Sequence, residues 1–259
     1  MALHHVRRGN GVPLLLVHGL GSSWRNWDPV LGALSAEREV IAVDLPGFGL
    51  TPPLAGAVTI ATLADALEEF LAEQSLQGTA VVGSSMGARL ALELARRKVV
   101  GATVALDPGG FWTALERKVF GASIAASYRL VKALQPVMPA ITGNAVGRTV
   151  LLAQFSPAPW KLPADVVLRE MRSFATGPSF IPALRDLTHG APQAGLARGA
   201  AVGPITIGWG RHDRVTLARQ APRAVELFPD ARLHWFAHSG HFPHWDMPEE
   251  AARVILTGT

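Results

Sequence analysis

Residues 79–98 hold an apolar run, a five-residue turn and a helical pattern in direct succession. They read Thr79-Ala80-Val81-Val82, then Gly83-Ser84-Ser85-Met86-Gly87, then the helix-like stretch 88–98. A G-x-S-x-G turn set between strand and helix has the form of a nucleophile elbow, and it limits the fold more than any other stretch of the chain. So sharp a turn forces Ser85 into a strained backbone conformation. Side chains two residues before and after it would collide with the turn, so positions 83 and 87 require glycine. The strain lifts the Ser85 hydroxyl clear of the sheet, and the following helix points its positive N-terminal end toward it. A glycine–serine turn can also exist with no chemistry at all, so the remainder of the chain has to decide between the two.

Apolar, β-branched runs at 13–17, 40–43, 80–82, 102–106, 205–209 and 232–236 predict buried strands. Helical periodicity lies between them. In 59–75, for example, Ile60, Leu63, Ala64, Leu67, Phe70 and Leu71 share one face. Apolar strands alternating with amphipathic helices predict an α/β fold: a mostly parallel sheet with helices on both faces. Ligand sites in such sheets lie at the carboxyl ends of the strands. The alternation breaks between Phe111 and about Gly203. This stretch is helix-rich, punctuated by Pro136, Pro139, Pro157, Pro159, Pro163, Pro178 and Pro182, and carries Trp112, Phe120, Tyr128, Phe155, Trp160, Phe174 and Phe180. The expectation is a helical cap, residues 111–202, inserted into a core formed by 1–110 and 203–259.

Composition narrows the function. At 259 residues, 49% hydrophobic and 17% charged, the chain can bury a large core and does not have the make-up of a disordered segment. It has no cysteine, which excludes disulfides, thiolate nucleophiles and cysteine-bound metals. The net charge of +4 comes from arginines scattered singly or in pairs, with no basic run interleaved with aromatics, so no nucleic-acid partner is expected. The longest charge-free run, 45–64, contains Pro46, Pro52 and Pro53 and cannot span a membrane as a helix. The first eight residues lack the apolar core of a signal peptide, and the expected location is cytoplasmic. There is no H-E-x-x-H, no P-loop and no G-x-G-x-x-G after a strand, so neither a metal nor a nucleotide cofactor is expected.

A serine hydroxyl is a weak nucleophile that needs a neighbouring base, usually a histidine oriented by a carboxylate. Asp213 follows the run 205–209 in the loop Gly210-Arg211-His212-Asp213. His241 follows the next run in Ala237-His238-Ser239-Gly240-His241-Phe242-Pro243. The two lie 28 residues apart, room for one helix and one strand, so that neighbouring strand ends could bring them together. Asp107, at the end of another strand run, is a rival acid. His212, His238 and His244 are rival bases.

These stretches, with His18-Gly19-Leu20-Gly21-Ser22-Ser23, Asp44-Leu45-Pro46-Gly47-Phe48-Gly49 and Trp209-Gly210-Arg211-His212-Asp213, resemble the α/β-hydrolase superfamily, in its branch with a helical cap and an esterase-like serine triad. The resemblance covers roughly 10–110 and 203–257. It implies Ser85 as nucleophile, Asp213 as acid and His241 as base, in the family's chain order. It also implies an oxyanion hole formed by the backbone N–H groups of Leu20 and Met86, with His18 ordering its loop and Asp44 in a structural role. Trp24 and Trp112 are expected as possible walls of a substrate pocket. The implied activity is cofactor-independent hydrolysis of small to medium hydrophobic esters, with a small molecule as the only partner; no oligomeric state is implied. The same triad would serve a carbon–carbon bond hydrolase of vinylogous diketones. Arg211 and Arg214 support that reading, and Ser22, standing where proline would be, opposes it. A small-molecule receptor on this scaffold, a thioesterase and an acyltransferase also remain open. Serine at 85 opposes the dehalogenases and epoxide hydrolases of the fold, which use aspartate.

Overall fold

The computed structural model describes residues 2–259. Seven strands form one sheet: β1 (His5–Arg8), β2 (Pro13–Val17), β3 (Glu39–Val43), β4 (Ala80–Ser84), β5 (Thr103–Leu106), β6 (Ile205–Gly210) and β7 (Arg232–Phe236). Their order is β1-β3-β2-β4-β5-β6-β7. Every neighbouring pair is parallel except β1 with β3. The six strands expected from the apolar runs are all present. The seventh, β1, is mostly polar and partly exposed, and carries no apolar run for the sequence to show.

The central strands are buried on both faces, as a parallel sheet requires. Leu14 and Leu16 of β2 point into one apolar cluster with Val30, Leu34 and Ile255; Leu15 and Val17 point into the other with Leu63, Leu67 and Leu90. Helices therefore cover both sides. On the first side lie α1 (Asp28–Ser35) and, at the end of the chain, the helix Pro248–Gly258. On the second lie α2 (Ile60–Glu73) and α3 (Met86–Arg96). Thr59 starts α2 with a capping box, its side chain accepting from the Thr62 N–H. The left-handed conformation of Ser75 (φ 57°) follows the helix end.

Between β5 and β6 the chain runs through α4 (Ala114–Ala133), α5 (Met138–Gly143), α6 (Ala145–Leu152), α7 (Ala164–Thr176) and α8 (Phe180–His189). These helices close over the carboxyl edge of the sheet, with their apolar faces in the same cluster as α2 and α3. The first is clamped to the core. Glu116 completes the Thr113 capping box and is gripped by Arg219 and Arg223, so the start of α4 is bound to the segment after β6. After β6 come α9 (Ala221–Leu227), β7, α10 (Pro243–Asp246) and the terminal helix, α11 (Pro248–Gly258). Because β2, β4, β5, β6 and β7 are parallel, His18, Ser85, Asp107, Asp213 and His241 all emerge at the same edge.

Candidate active site

The turn after β4 has the geometry its glycines foretold. Ser85 sits at φ 56°, ψ −113° and caps the N-terminus of α3. A Cβ on Gly83 would collide with the Gly87 carbonyl, and one on Gly87 with the carbonyl oxygens of Val17 and His18. Neither position has room for any other residue. Gly19 also approaches closely: a Cβ there would lie 3.2 Å from the Ser85 Cβ and 3.3 Å from the Ser84 carbonyl oxygen. The loop after β2 can therefore lie directly against the serine, with Leu20 and Ser85 in the wall of one cavity. The Ser84 side chain is turned wholly inward.

Ser85 Oγ and His241 Nε2 are 2.8 Å apart, and His241 Nδ1 and Asp213 Oδ2 are 2.8 Å apart. Asp213 and His241 are buried, with Ser85 at the edge of the cavity. Three further donors hold Asp213: the backbone N–H groups of Val215 (2.7 Å) and Thr216 (3.1 Å) on Oδ1, and the Thr216 hydroxyl (2.7 Å) on Oδ2. Several N–H and O–H donors on one carboxylate fix its direction. His241 is anchored through its main chain, whose N–H donates to the Phe155 carbonyl at 2.7 Å. Of the rival bases, His244 is buried against Asn26, and His212 and His238 line an outer groove; none of the three reaches Ser85.

Asp107 stands beside this chain of hydrogen bonds rather than in it. It is fully buried, has φ 47°, and its Oδ1 accepts the Gly210 N–H at 2.8 Å. Burial and the neighbouring Asp213 charge push its carboxyl well above the usual range, so it is held as the neutral acid. Asp107, Asp213 and His241 bring ligand-type atoms within 4.8 Å of one another, a spacing that a metal could also use. The hydrogen bonds already described account for it: Asp213 Oδ2 and His241 Nδ1 are engaged with each other, and a proton on Asp107 lets the two acids lie side by side.

His18 orders its loop, as expected. Its Nε2 accepts the Leu45 N–H at 3.0 Å, leaving Nδ1 to donate to the Gly19 carbonyl at 2.7 Å. Burial lowers its pKa, which favours the neutral ring this pattern needs. Asp44 is structural, accepting from the N–H groups of Trp24 and Leu50 and pairing with His4.

The cavity beside Ser85 has a volume of about 70 Å³. Its walls are mostly apolar, including Phe120, Ile124, Leu152, Phe155, Phe174 and Trp245. The two tryptophans expected there are not part of the wall. Trp24 is half-buried against the cluster of Val30 and Leu34, with Arg25 over its ring and its main-chain N–H donated to Asp44, because the segment after the His18 loop turns at once into a short helical turn on that side of the sheet. Trp112 stands behind the wall, stacked on Phe120 at 4.8 Å. The aromatic residues in the wall include Trp245, Phe155 and Phe242 instead. The wall also contains Ser22, noted in the sequence only as standing where proline would be, and Glu170, which nothing in the sequence singled out. Arg214 donates to the Ala153 carbonyl and Arg211 lies over the Trp235 ring, so neither arginine faces the cavity.

Residues 14–254 match the model of the alpha/beta hydrolase family, and the chain belongs to that family. An uncharacterised protein of Mycobacterium tuberculosis is 26% identical over 95% of this chain and 75% of its own length. A pimeloyl-[acyl-carrier protein] methyl ester esterase of Legionella pneumophila is 36% identical, but over only 37% of this chain and 36% of its own length. A thermophilic esterase from Thermogutta terrifontis superposes with a TM-score of 0.77 at 19% identity, covering 98% of this chain and 92% of that one. A meta-cleavage product hydrolase from Pseudomonas fluorescens gives 0.73 at 20% identity, covering 98% and 93%. These structural likenesses speak for the fold. No helix among the described residues is long and apolar enough to cross a membrane.

Proposed function

We propose that this protein is a serine hydrolase that cleaves small hydrophobic carboxylic esters through an acyl-enzyme. The observation that carries the reading is the unbroken chain Asp213–His241–Ser85, with two 2.8 Å links, opening on an apolar cavity. In this reading Ser85 Oγ attacks the ester carbonyl while His241 Nε2 takes its proton. Asp213 fixes the imidazole with Nδ1–H toward itself and stabilises the cation that forms. His241 then protonates the leaving alcohol. A water, deprotonated by the same imidazole, releases the acid and restores Ser85.

The backbone N–H groups of Leu20 and Met86 are the donors for the oxyanion. Met86 is the first residue of α3, where helical N–H groups lack intrahelical partners, and Gly19 lets the Leu20 loop approach the serine. Each such donor is worth about 3 kcal/mol of barrier. The small cavity, well below the roughly 300 Å³ of common ligand pockets, supports short acyl groups. Residues 111–202 act as the cap that encloses them, over a core of 1–110 and 203–259. Since Arg211 and Arg214 are engaged elsewhere, a diketone hydrolase loses the feature that favoured it.

The test is labelling by a fluorophosphonate, together with turnover of p-nitrophenyl esters of graded chain length. Both should vanish in Ser85→Ala, with rates highest for short chains. Labelling without ester turnover would favour a thioester substrate or a receptor, and no labelling of a folded protein would refute the assignment of Ser85.

A further inference from the structure

One group in the wall beside Ser85 does not belong to an apolar pocket. Glu170, on α7, shares the cavity with Ser85 and His241, while Val167, Met171 and Phe174 continue the apolar face of the same helix around it. The carboxyl is held, not loose. Its Oε1 accepts from Asn26 Nδ2 at 3.0 Å, and Ser22 lies in the same wall. Asn26 is itself fixed: its Oδ1 accepts from His244 Nε2 at 2.7 Å and its main-chain oxygen accepts from the Trp245 indole at 2.9 Å. A leucine would have sufficed to close the wall; instead the buried Asn26, itself held by His244 and Trp245, presents a carboxyl to the cavity. Two carboxyl oxygens have about four acceptor sites, and the single side-chain donor, Asn26, leaves others free.

We propose that Glu170 is a specificity-determining residue whose carboxyl binds a hydroxyl of the substrate, so that the esters suited to this site are short and hydroxylated rather than plain hydrocarbon. The proposal rests on the reading of Ser85 as nucleophile.

The choice of hydroxyl follows from the charge state. Burial pushes the Glu170 carboxyl up to about 7; Asp28 adds to that rise, while Ser22, Asn26 and Arg169 oppose it. Burial holds the ring of His244, behind Asn26, in its neutral form, and His241 stands in the same cavity wall. Near neutral pH both forms of Glu170 are therefore populated. A hydroxyl can donate to the carboxylate and accept from the acid, whereas an ammonium suits only the first and a carboxylate only the second. Among the described residues lining the cavity there is no lysine or arginine, so a carboxylate on the substrate would find no counter-charge.

The experiment compares p-nitrophenyl esters of short hydroxyacids, with the hydroxyl at successive carbons, against counterparts carrying methyl in place of hydroxyl. Fluorophosphonate labelling normalises each rate to the amount of reactive Ser85. The readout is the ratio of kcat/KM within a pair, in which effects common to both esters cancel. The best hydroxylated ester should exceed its counterpart by about ten-fold or more, the effect of one hydrogen bond to a charged group. Glu170→Leu should bring the ratio to about one. Glu170→Gln keeps the shape and the Asn26 contact in case the leucine variant does not fold. In it the ratio should be smaller and should no longer rise between about pH 6 and pH 8, where the native carboxyl ionises. A wild-type protein indifferent to the hydroxyl, or a preference that survives in both variants, overturns the proposal. An unlabelled wild-type protein overturns the reading of Ser85 instead, and the proposal with it.

Discussion

The strain at Ser85 can be weighed by comparing two inactive variants, Ser85→Gly and Ser85→Ala. Both remove the hydroxyl and its hydrogen bond to His241, so that loss cancels. They differ in the Cβ alone. At φ 56°, ψ −113° the residue occupies the first central position of a type II′ turn, which glycine adopts freely and other residues do not. Strain of this kind costs about 1–3 kcal/mol. Glycine gives back about 0.5–1 kcal/mol through the greater freedom of its unfolded chain. The glycine variant should therefore be the more stable by up to about 2.5 kcal/mol, a difference of up to about 10 °C in Tm at about 2–4 °C per kcal/mol for a chain of this size. Scanning calorimetry supported by urea titration measures it. An alanine variant more stable than the glycine one by about 0.5–1 kcal/mol, the glycine penalty alone, would show that the turn stores no strain and that the hydroxyl's position has another cause.

Two further predictions address the acids. Asp213→Asn should lower kcat by about 10⁴-fold, since an amide cannot hold the imidazole in the required tautomer or stabilise its cation. Asp107→Asn should cost little, because the amide can keep the Gly210 contact and offer Asp213 a hydrogen; if the two variants swap these effects in ester assays, Asp107 is the working acid. The raised pKa of Glu170 makes a stability prediction. Its folded value of about 7 lies above the unfolded value near 4.5, so between the two the folded protein keeps a proton that the unfolded chain has released. This contribution is fully present at low pH and is lost as pH rises to about 7, at up to about 1.4 kcal/mol per pH unit. His244, held down to about 3, acts in the opposite direction, its neutral form favouring the folded state above about pH 6.5. Subtracting wild-type stability from that of Glu170→Gln isolates the glutamate. The difference should climb from about pH 4.5 to about pH 7 and then level off, as read by urea unfolding at each pH; a flat difference would mean that the carboxyl is not held neutral.

The sheet was legible in the sequence because its central strands are apolar on both faces, which leaves unbroken runs such as Leu14-Leu15-Leu16-Val17. The serine turn was legible because backbone collisions at positions 83 and 87 leave glycine no substitute. What stayed hidden depended on contacts between distant residues. β1 is a strand by virtue of its pairing with β3, not its composition. Glu170 lies in a charged stretch, Leu168-Arg169-Glu170-Met171-Arg172, that reads as a solvated helix face; only its contact with Asn26, 144 residues away, turns it inward. Trp24 and Trp112 misled for the same reason. A large ring near a motif suggests a pocket wall, but the local backbone sends one against the cluster of Val30 and Leu34 and the other behind Phe120.

The bond from the His241 N–H to the Phe155 carbonyl has a consequence for how this molecule admits a substrate. Phe155 belongs to the helical segment above the sheet, and its ring also stacks on Phe242, next to His241. Arg214 grips the Ala153 carbonyl and Ser156 bonds to Asp246, so the same short segment is fastened to both loops that carry His241 and Asp213. Lifting it would unfasten the histidine from its alignment. If Ser85 and His241 act as proposed, raising this segment would take from the base its main-chain anchor, and water entering the opened cavity would meet no primed nucleophile. On that reading a substrate is expected to enter elsewhere along the rim, with this corner latched and the site already set.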